Sequence, residues 1–204
     1  MIVTAVEPRK KALSALYIDG EFAMKLDTQT LAEYRINAGK EISDEELKEL
    51  IDASDLRRAK ERALWLLSYR DHTTGELMDK LKKDFPEAAC EKAIARMQEL
   101  SLLDDRRVAK KYAEELHRKH HSEKDIIFRL SAKGIDKEEA RLIVEELSID
   151  PVSEICALIE KKHLKNLNDE KGLRRTYASL QRGGFKYSDI KTALREFTDA
   201  DLDQ

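Results

Sequence analysis

Three histidines come nearest to a reactive site in this chain. His117, His120 and His121 lie in one short stretch, and His117 and His121 are one helical turn apart, a spacing that metal sites on helices use. No cysteine or carboxylate that would complete a closed ligand set is evident, and Lys119 and Lys124 make the stretch cationic. The pattern favours a basic surface with partly charged histidines over a metal site, and no metal or other cofactor is expected.

Other signs of catalysis are few. Asp104 and Asp105 could act as a carboxylate pair, but capping of the following helix explains them more simply. The chain has no glycine-rich phosphate loop, no nucleophile elbow and no His-Glu metal motif. Cys90 and Cys156 sit in helical patterns without metal-ligand neighbours, which is typical of reduced core cysteines in a cytoplasmic protein. We therefore expect a binding protein without catalytic residues rather than an enzyme.

Basic residues recur in a regular arrangement. Residues 57–83 hold eight basic and four acidic residues, residues 106–133 hold nine and four, and residues 161–186 hold eight and two. The segment after each of these is acidic, with two basic residues against five or six acidic ones: 87–105, 136–150 and 187–204. The net charge of −3 therefore conceals charges that are sorted by sign along the chain.

Rows of cations can neutralise phosphates and release counterions, so they favour salt-sensitive binding to nucleic acid. The acidic segments could meet basic patches of a protein partner or repel DNA from the wrong face. The simpler alternative is a solvated surface whose charges follow the helix dipoles. Recurrence in each copy favours binding. The candidate contact residues are Arg70, Lys82, Lys83, Arg106, Arg107, Lys110, Lys111, Arg118, Lys119, Lys124, Arg129, Lys133, Arg174, Arg175 and Arg182.

Tyrosines offer a second kind of contact, because an aromatic ring can stack on a base. The candidates are Tyr69, Tyr112, Tyr177 and Tyr187. Of these, Tyr112 lies on an apolar helix face, so the pattern predicts a core position for it.

A repeated pattern must position these residues. Its anchor is a leucine that recurs at intervals of 49 and 50 residues: Leu81, Leu130 and Leu180. In the last two copies a glycine and an apolar residue follow the anchor, Gly134 with Ile135 and Gly184 with Phe185. In the first copy Phe85 fills the apolar slot and the glycine is missing. A fixed period of this length is typical of repeat proteins, whose units stack and offer an extended binding surface.

Each copy is predicted to form three helices. Thr73 with Glu76 is a capping box, Ser122 with Asp125 is a shorter-armed version, and Asp150 precedes a proline that suits a first helical turn. The first helix of the third copy is predicted to be lengthened or bent. The expected helices lie at about 55–70, 74–84 and 87–100, at 105–119, 123–133 and 136–148, and at 151–166, 169–182 and 187–198.

The first 54 residues do not share this pattern. Asp19-Gly20 between apolar runs predicts a β-hairpin over residues 13–26, and residues 1–6 could add a third strand. A short helix at about 28–38 and a helix opened by a capping box of Ser43 and Glu46 should follow. Because a lone hairpin is marginal in water, Trp65 or Leu66 of the first repeat helix is predicted to face it.

Composition supports slim helical layers. The chain has 204 residues, of which 39% are charged and 6% aromatic, and it contains only seven glycines and three prolines. No apolar run reaches the length of a membrane helix and no secretory pattern is seen, so a cytoplasmic protein is expected. The prediction is a mainly all-α fold: residues 1–54 form a β-hairpin and helix extension, and three tandem three-helix repeats at 55–103, 104–149 and 150–204 form an elongated curved array.

Three stretches carry a family resemblance. ALWLLSYRDHTTGELMDKL at 63–81 resembles the opening of RecX proteins, the bacterial regulators of the RecA recombinase. LLDDRRVAKKYAEEL at 102–116 and RLSAKGIDKEEARLIVEEL at 129–147 resemble the second repeat of that family. The N-terminal hairpin region is similar to the extension that many members have, and the third repeat diverges more. The ordered combination carries the resemblance, which covers essentially the whole chain.

The resemblance implies tandem three-helix units that lie in the groove of the RecA filament on DNA. Family members bind RecA and DNA and limit recombinase, ATP-hydrolysis and SOS coprotease activity, which would place this chain in DNA repair and recombination. The expected partners are the RecA filament and single- and double-stranded DNA, and a monomer would suffice. Two alternatives remain: a helix-turn-helix-like transcription factor that reads duplex DNA, or a helical adaptor that ignores nucleic acid.

Overall fold

The computed structural model describes residues 1–197. Three strands come first, β1 (Val3–Pro8), β2 (Leu13–Ile18) and β3 (Glu21–Asp27). Ten α-helices follow in the described part: α1 (Thr28–Glu33), α2 (Asp44–Tyr69), α3 (Thr74–Leu81), α4 (Glu87–Glu99), α5 (Asp105–Arg118), α6 (Glu123–Ala132), α7 (Lys137–Glu145), α8 (Pro151–Leu158), α9 (Glu170–Arg182) and α10 (Tyr187–Arg195). The predicted mainly α-helical fold with a small N-terminal sheet is confirmed. Within residues 1–197, no helix combines the length and the apolar character that crossing a membrane requires.

The chain divides into two compact units, Met1–Asp104 and Asp105–Gln204. The first unit begins with an antiparallel sheet in the order β1-β2-β3, which confirms both the hairpin and the third strand. Asp19 and Gly20 form the turn between β2 and β3, with φ angles of 49° and 89°. Two positive φ values are what a type I′ turn requires, and this turn matches the twist of the strands it joins.

Helix α2 is 26 residues long. It begins at the predicted capping box, where Glu46 N–H donates to Ser43 Oγ (3.1 Å) and Ser43 N–H donates to Glu46 Oε2 (2.9 Å). The sequence predicts a separate helix near residue 55, but α2 runs without a break through the predicted boundary between residues 54 and 55. Ser54 is buried inside the helix, and its Oγ accepts a hydrogen bond from Asp27 N–H (2.9 Å).

The sheet packs on the first half of α2, where Leu16 and Leu26 share a core with Leu50. The prediction that Trp65 or Leu66 faces the hairpin is wrong. Leu66 is buried in the core of α2, α3 and α4, whereas Trp65 is 57% exposed. The physical reason is the length of α2, which is about 39 Å at 1.5 Å per residue. Its first half packs against the sheet, and its second half, which contains Trp65 and Leu66, packs against α3 and α4.

The leucine register predicted for the three copies is confirmed. The anchor leucines Leu81, Leu130 and Leu180 are 0%, 0% and 2% exposed. Each belongs to a different core, and each core draws its residues from one of the segments 59–103, 109–149 and 152–197. The sheet and the start of α2 form a fourth core from residues 3–51.

The glycine after the anchor has a conformational role in the second and third copies. Ile135 N–H donates to the Leu130 carbonyl (3.2 Å), and Phe185 N–H donates to the Leu180 carbonyl (3.3 Å). The glycine before each apolar residue has a φ of 85° or 91°, which lets the chain turn back over the helix end. In the first copy Phe85 N–H also donates to its anchor leucine (3.0 Å), but no left-handed residue intervenes.

The third copy departs from regular geometry where the sequence predicts a lengthened or bent helix. Helix α8 ends at Leu158 and is followed by a π-helical turn (Ile159–His163) and a 3₁₀ turn (Leu164–Asn166). Together they span the predicted 151–166. The last predicted helix, 187–198, corresponds to α10, which ends at Arg195. Residue 198 and the rest of the predicted third domain, to residue 204, lie outside the described residues.

Candidate nucleic-acid interface

All fifteen predicted contact residues lie on the surface. Thirteen are exposed, and Lys110 and Lys133 are partly buried. Several already contact a carboxylate on a neighbouring turn or helix, because charged side chains on adjacent helix turns lie within reach of each other. Ion pairs join Arg70 to Glu76 (3.2 Å), Lys82 to Glu87, Lys119 to Glu115 (2.5 Å), Arg129 to Asp125 (2.8 Å) and Arg174 to Glu170 (2.5 Å).

The acidic third helix of the second copy is partly neutralised by the basic first helix. Glu146, at the end of α7, accepts hydrogen bonds from Lys110 (2.6 Å) and Arg106 (2.9 Å) of α5. The hydrogen bond from Lys110, with the nearby Arg106, holds the pKa of Glu146 below its ordinary value. The charges of this repeat are therefore less completely sorted by sign than the sequence predicts.

Three predicted residues from separate parts of the second unit meet at one place. Lys119 follows α5, Arg129 lies on α6 and Arg182 ends α9, and all three line a cleft of about 370 Å³. Lys162 and His163 line the same cleft. We call it the cationic cleft and define it by these five basic residues. It is concave and positive, which suits an anionic ligand.

Sequence reasoning missed Lys162 and His163. Both lie in the π-helical turn, whose wider hydrogen-bonding pattern takes up one residue more than an α-helical turn. In such a turn, side chains lie on a different face of the helix from the one that a regular α-helix would place them on. Two signals were available: the third copy fails to keep the spacing of the first two, and Lys161, Lys162 and His163 form a basic run.

The three histidines of the α5–α6 turn contact carboxylates rather than one another. Nδ1 of His117 and Nδ1 of His120 lie 3.5 and 2.7 Å from the two carboxylate oxygens of Glu154. Nδ1 of His121 lies 2.6 Å from Asp125. The sequence revealed no such partners, because Glu154 comes from the next repeat. Among residues 1–197, no group of three or more histidine, cysteine, aspartate or glutamate side chains is placed to hold a metal ion.

An exposed aromatic stripe lies on the second half of α2. Trp65 is 57% exposed and Tyr69 is 86% exposed, and the Arg62 guanidinium lies 4.5 Å from the centre of the Trp65 ring. Positions 62, 65 and 69 are three and four residues apart, so they share one helix face. Bases stack on exposed aromatic rings and on arginine planes. Tyr69 was a candidate from sequence, whereas Trp65 was considered only as one of two residues that could face the hairpin, and Arg62 was missed.

The other candidate tyrosines are less available. Tyr112 is partly buried against the second core, as its apolar helix face predicts, and Lys133 Nζ lies 4.8 Å from the centre of its ring. Tyr177 and Tyr187 pack edge to face with ring centres 5.5 Å apart. Tyr187 is nevertheless 60% exposed.

Known proteins resemble both the sequence and the fold. The family model for the first three-helix domain of RecX matches residues 59–97. The regulatory protein RecX of Caldanaerobacter subterraneus subsp. tengcongensis is 31% identical over 196 residues, which cover 95% of this chain and 98% of that protein. The regulatory protein RecX of Bacillus subtilis is 28% identical, over 94% of this chain and 75% of its own length.

Solved structures agree with the sequence relatives. The crystal structure of RecX from Lactobacillus salivarius is 29% identical, has a TM-score of 0.62, and matches 71% of this chain and 97% of its own. A further crystal structure of a regulatory protein RecX shares the fold, with a TM-score of 0.65 at 21% identity over 95% of this chain and 98% of its own. The extent of identity along the whole chain shows that this protein belongs to the RecX family of regulatory proteins.

Proposed function

We propose that the protein regulates a RecA recombinase by binding the filament that RecA forms on DNA. It limits the recombinase, ATP-hydrolysis and SOS coprotease activities of that filament, and it contacts DNA directly through its basic helix faces. Membership of the RecX family supports the RecA partner. Because this partner acts on the chromosome, the protein works in the cytoplasm. It acts as a monomer, since tandem repeats supply an extended surface without a second copy.

One observation carries the proposed contact with DNA. Lys119 follows α5, Arg129 lies on α6 and Arg182 ends α9 in the next repeat, yet all three line one cleft. Helix dipoles account for cations such as Arg129 and Arg182 in the last turns of their helices, but they do not account for the meeting of these cations at one cleft. The stripe of Trp65 and Tyr69 adds a surface on which bases can stack.

The mechanism is selective binding. A regulator shifts an assembly only by the difference between its affinities for two states, and here these are the extended filament and its dissociated subunits. Cations that contact phosphates supply affinity, which falls as salt rises. No catalytic residue takes part.

The direct test is ATP hydrolysis by RecA on single-stranded DNA, with this protein added at less than one molecule per RecA. The hydrolysis rate should fall, because each bound molecule removes a stretch of active filament. A variant in which Lys10, Lys11, Lys25 and Lys48 become glutamine serves as a control, since it loses four exposed positive charges outside the proposed interface and should act like the original. Unchanged hydrolysis and unchanged filament assembly would contradict the proposal.

Titration with DNA at two salt concentrations separates the two alternative functions. A transcription factor would prefer one duplex sequence, whereas the proposed regulator should bind without sequence preference and more weakly at the higher salt concentration. A helical adaptor would not bind DNA at either salt concentration.

A further inference from the structure

The cationic cleft holds more positive charge than its own carboxylates balance. Four of its lining residues are lysines or arginines: Lys119, Arg129, Lys162 and Arg182. Asp125 is the only carboxylate that lines it within the described chain. Unbalanced cations around a concave site raise the local concentration of anions.

Asp125 is already engaged. Its Oδ2 accepts hydrogen bonds from Arg129 Nε (2.8 Å) and His121 Nδ1 (2.6 Å). Burial alone would raise the pKa of Asp125, but the hydrogen bonds from Arg129 and His121 outweigh burial and hold the pKa below its ordinary value. The carboxylate is therefore ionised and serves to orient these two residues. Lys119 is likewise paired, with Glu115 (2.5 Å).

Lys162 and Arg182 are the two cations of the cleft that no carboxylate of the described chain balances. Neither makes an ion pair with any carboxylate in residues 1–197, and both side chains are exposed. They reach the cleft from different elements, Lys162 from the π-helical turn and Arg182 from the end of α9. Donors that approach from separate directions suit the tetrahedral oxygens of a phosphate, and arginine binds two of these oxygens at once.

His163 adds an unsatisfied polar atom. Its Nδ1 is buried and has no hydrogen-bond partner among the described residues. Burial, together with the charge of Lys162, lowers the pKa of His163, so the ring is neutral at neutral pH. An anion in the cleft would offset the repulsion between Lys162 and a protonated His163 ring.

We propose that the cationic cleft binds a phosphate group, with Lys162 and Arg182 as its charged contacts and His163 as a hydrogen-bonding partner. A volume of about 370 Å³ is large enough for a phosphate group. The phosphate can belong to a nucleic-acid backbone, in which case the inference rests on the proposed function. It can also belong to a small free phosphate compound, which the same side chains would recognise.

Inorganic phosphate tests the site directly. Histidine ring resonances are followed by NMR during titration of the full chain at constant ionic strength. The ring of His163 should shift and saturate, while the ring of His72, which is buried in the first unit, should not respond. Changing Lys162 and Arg182 together to glutamine should weaken phosphate binding about a hundredfold, or about tenfold for each charge-assisted hydrogen bond lost.

A matched control removes the same charge outside the cleft. Lys161 is adjacent to Lys162, Lys171 lies on α9 like Arg182, and both control residues are exposed and outside the predicted contact set. The Lys161→Gln and Lys171→Gln double variant should bind phosphate as the original does. Circular dichroism verifies that both double variants keep their helix content. An equal loss in the two double variants, or no saturating shift of His163 in the original, would overturn the proposal.

A short oligothymidylate, used as a second probe, identifies the source of the phosphate. Nucleic acid is the ligand if the oligonucleotide shifts His163 in the same way and inorganic phosphate competes with it. A free phosphate compound is the ligand if only inorganic phosphate or pyrophosphate produces the shift. Both results support the site. The RecA assay remains a separate readout, so a failed phosphate titration with normal inhibition of RecA removes the cleft proposal and leaves the proposed function intact.

Discussion

Trp65 is the residue whose environment bears most directly on DNA contact. A tryptophan ring that is 57% exposed, with a guanidinium against one face, presents a flat surface that no core residue covers. Arg62, the source of that guanidinium, makes no ion pair in the part of the chain that the structure describes. Trp65 and Tyr69 are exposed together on one helix face, and contiguous exposed apolar surface marks interaction sites in a way that single scattered residues do not.

The fluorescence of Trp65 reports on this surface without a label, because it is the only tryptophan in the chain. Oligothymidylate should quench the emission as a base stacks on the ring. Tyr69→Ala should weaken binding by about 1 kcal/mol, or roughly fivefold, which is the low end for loss of one stacked base.

Phe22→Ala is the matched control for Tyr69→Ala, since Phe22 is an aromatic residue that is 54% exposed on strand β3. This substitution should leave the affinity for oligothymidylate unchanged. Emission that stays constant while a separate assay shows saturated binding would rule out base stacking. Quenching by RecA in the absence of DNA would instead assign the stripe to a protein partner.

Gly184 shows how close two repeats come at one residue. Its φ is +91°, and a Cβ at this position would lie 2.6 Å from Ser122 Oγ. That hydroxyl caps α6 by accepting from Asp125 N–H (3.2 Å) and donates to the Gly183 carbonyl (2.6 Å). Gly184 is therefore required for both its backbone conformation and its lack of a side chain.

Two alanine substitutions separate these requirements. Gly39 has the same φ of +91°, and no atom lies within 4 Å of the position that an alanine methyl group would take, so Gly39→Ala should cost only the backbone strain, about 1 to 2 kcal/mol. Gly184→Ala should cost at least about 1 kcal/mol more, because Ser122 must move and lose hydrogen bonds. Denaturant unfolding measures both, and equal losses would show that the contact with Ser122 is unimportant.

At the scale of elements, local signals predicted well and long-range ones did not. The capping boxes of α2 and α3 and the Asp19-Gly20 turn were predictable because each involves residues within one turn of the chain. The continuity of α2 was not, because the sequence does not show that Ser54 pairs with Asp27, which is 27 residues away. The position of Trp65 was predicted wrongly because a run of apolar residues in a helix does not show which helix face packs against another element.

The anchor leucine tests the repeat as an element. Leu130 is completely buried in the second core, so Leu130→Ala should lower the free energy of unfolding by about 2 to 5 kcal/mol. Leu142→Ala on the neighbouring helix α7 is the control. Leu142 is 56% exposed, and its loss should change stability by less than about 0.5 kcal/mol. A negligible effect at Leu130 would show that the leucine register does not define the repeat.

At the scale of the whole molecule, each compact unit offers a contact of its own. The first unit has the aromatic stripe on α2, and the second has the cationic cleft. A chain that binds through two sites gains affinity beyond either site alone when both reach the same ligand. The sequence predicted the sign and the repeat of the charges, but not which cations pair internally, since Glu146 meets Lys110 and Arg106 only after folding.

Removing a block of cations tests the basic surface of the second unit. Changing Lys110, Lys111, Arg118 and Lys119 together to glutamine should weaken binding to single-stranded DNA and preserve the helix content. The slope of log affinity against log salt should become shallower by about 3 if all four contact phosphates. The variant at Lys10, Lys11, Lys25 and Lys48 removes the same charge elsewhere. Identical salt slopes for the two variants would mean that this face is only solvated.

The π-helical turn at Ile159–His163 also bears on how the third repeat diverged. A π-helical turn contains one residue more than an α-helical turn, as if a single residue had been inserted into a regular helix. Such an insertion changes by one the sequence spacing between any residue before the turn and any residue after it. Deleting one residue there should restore a regular helix and rotate the side chains that follow by about 100°. A chain without the extra residue would no longer present Lys162 and His163 to the cleft as this one does.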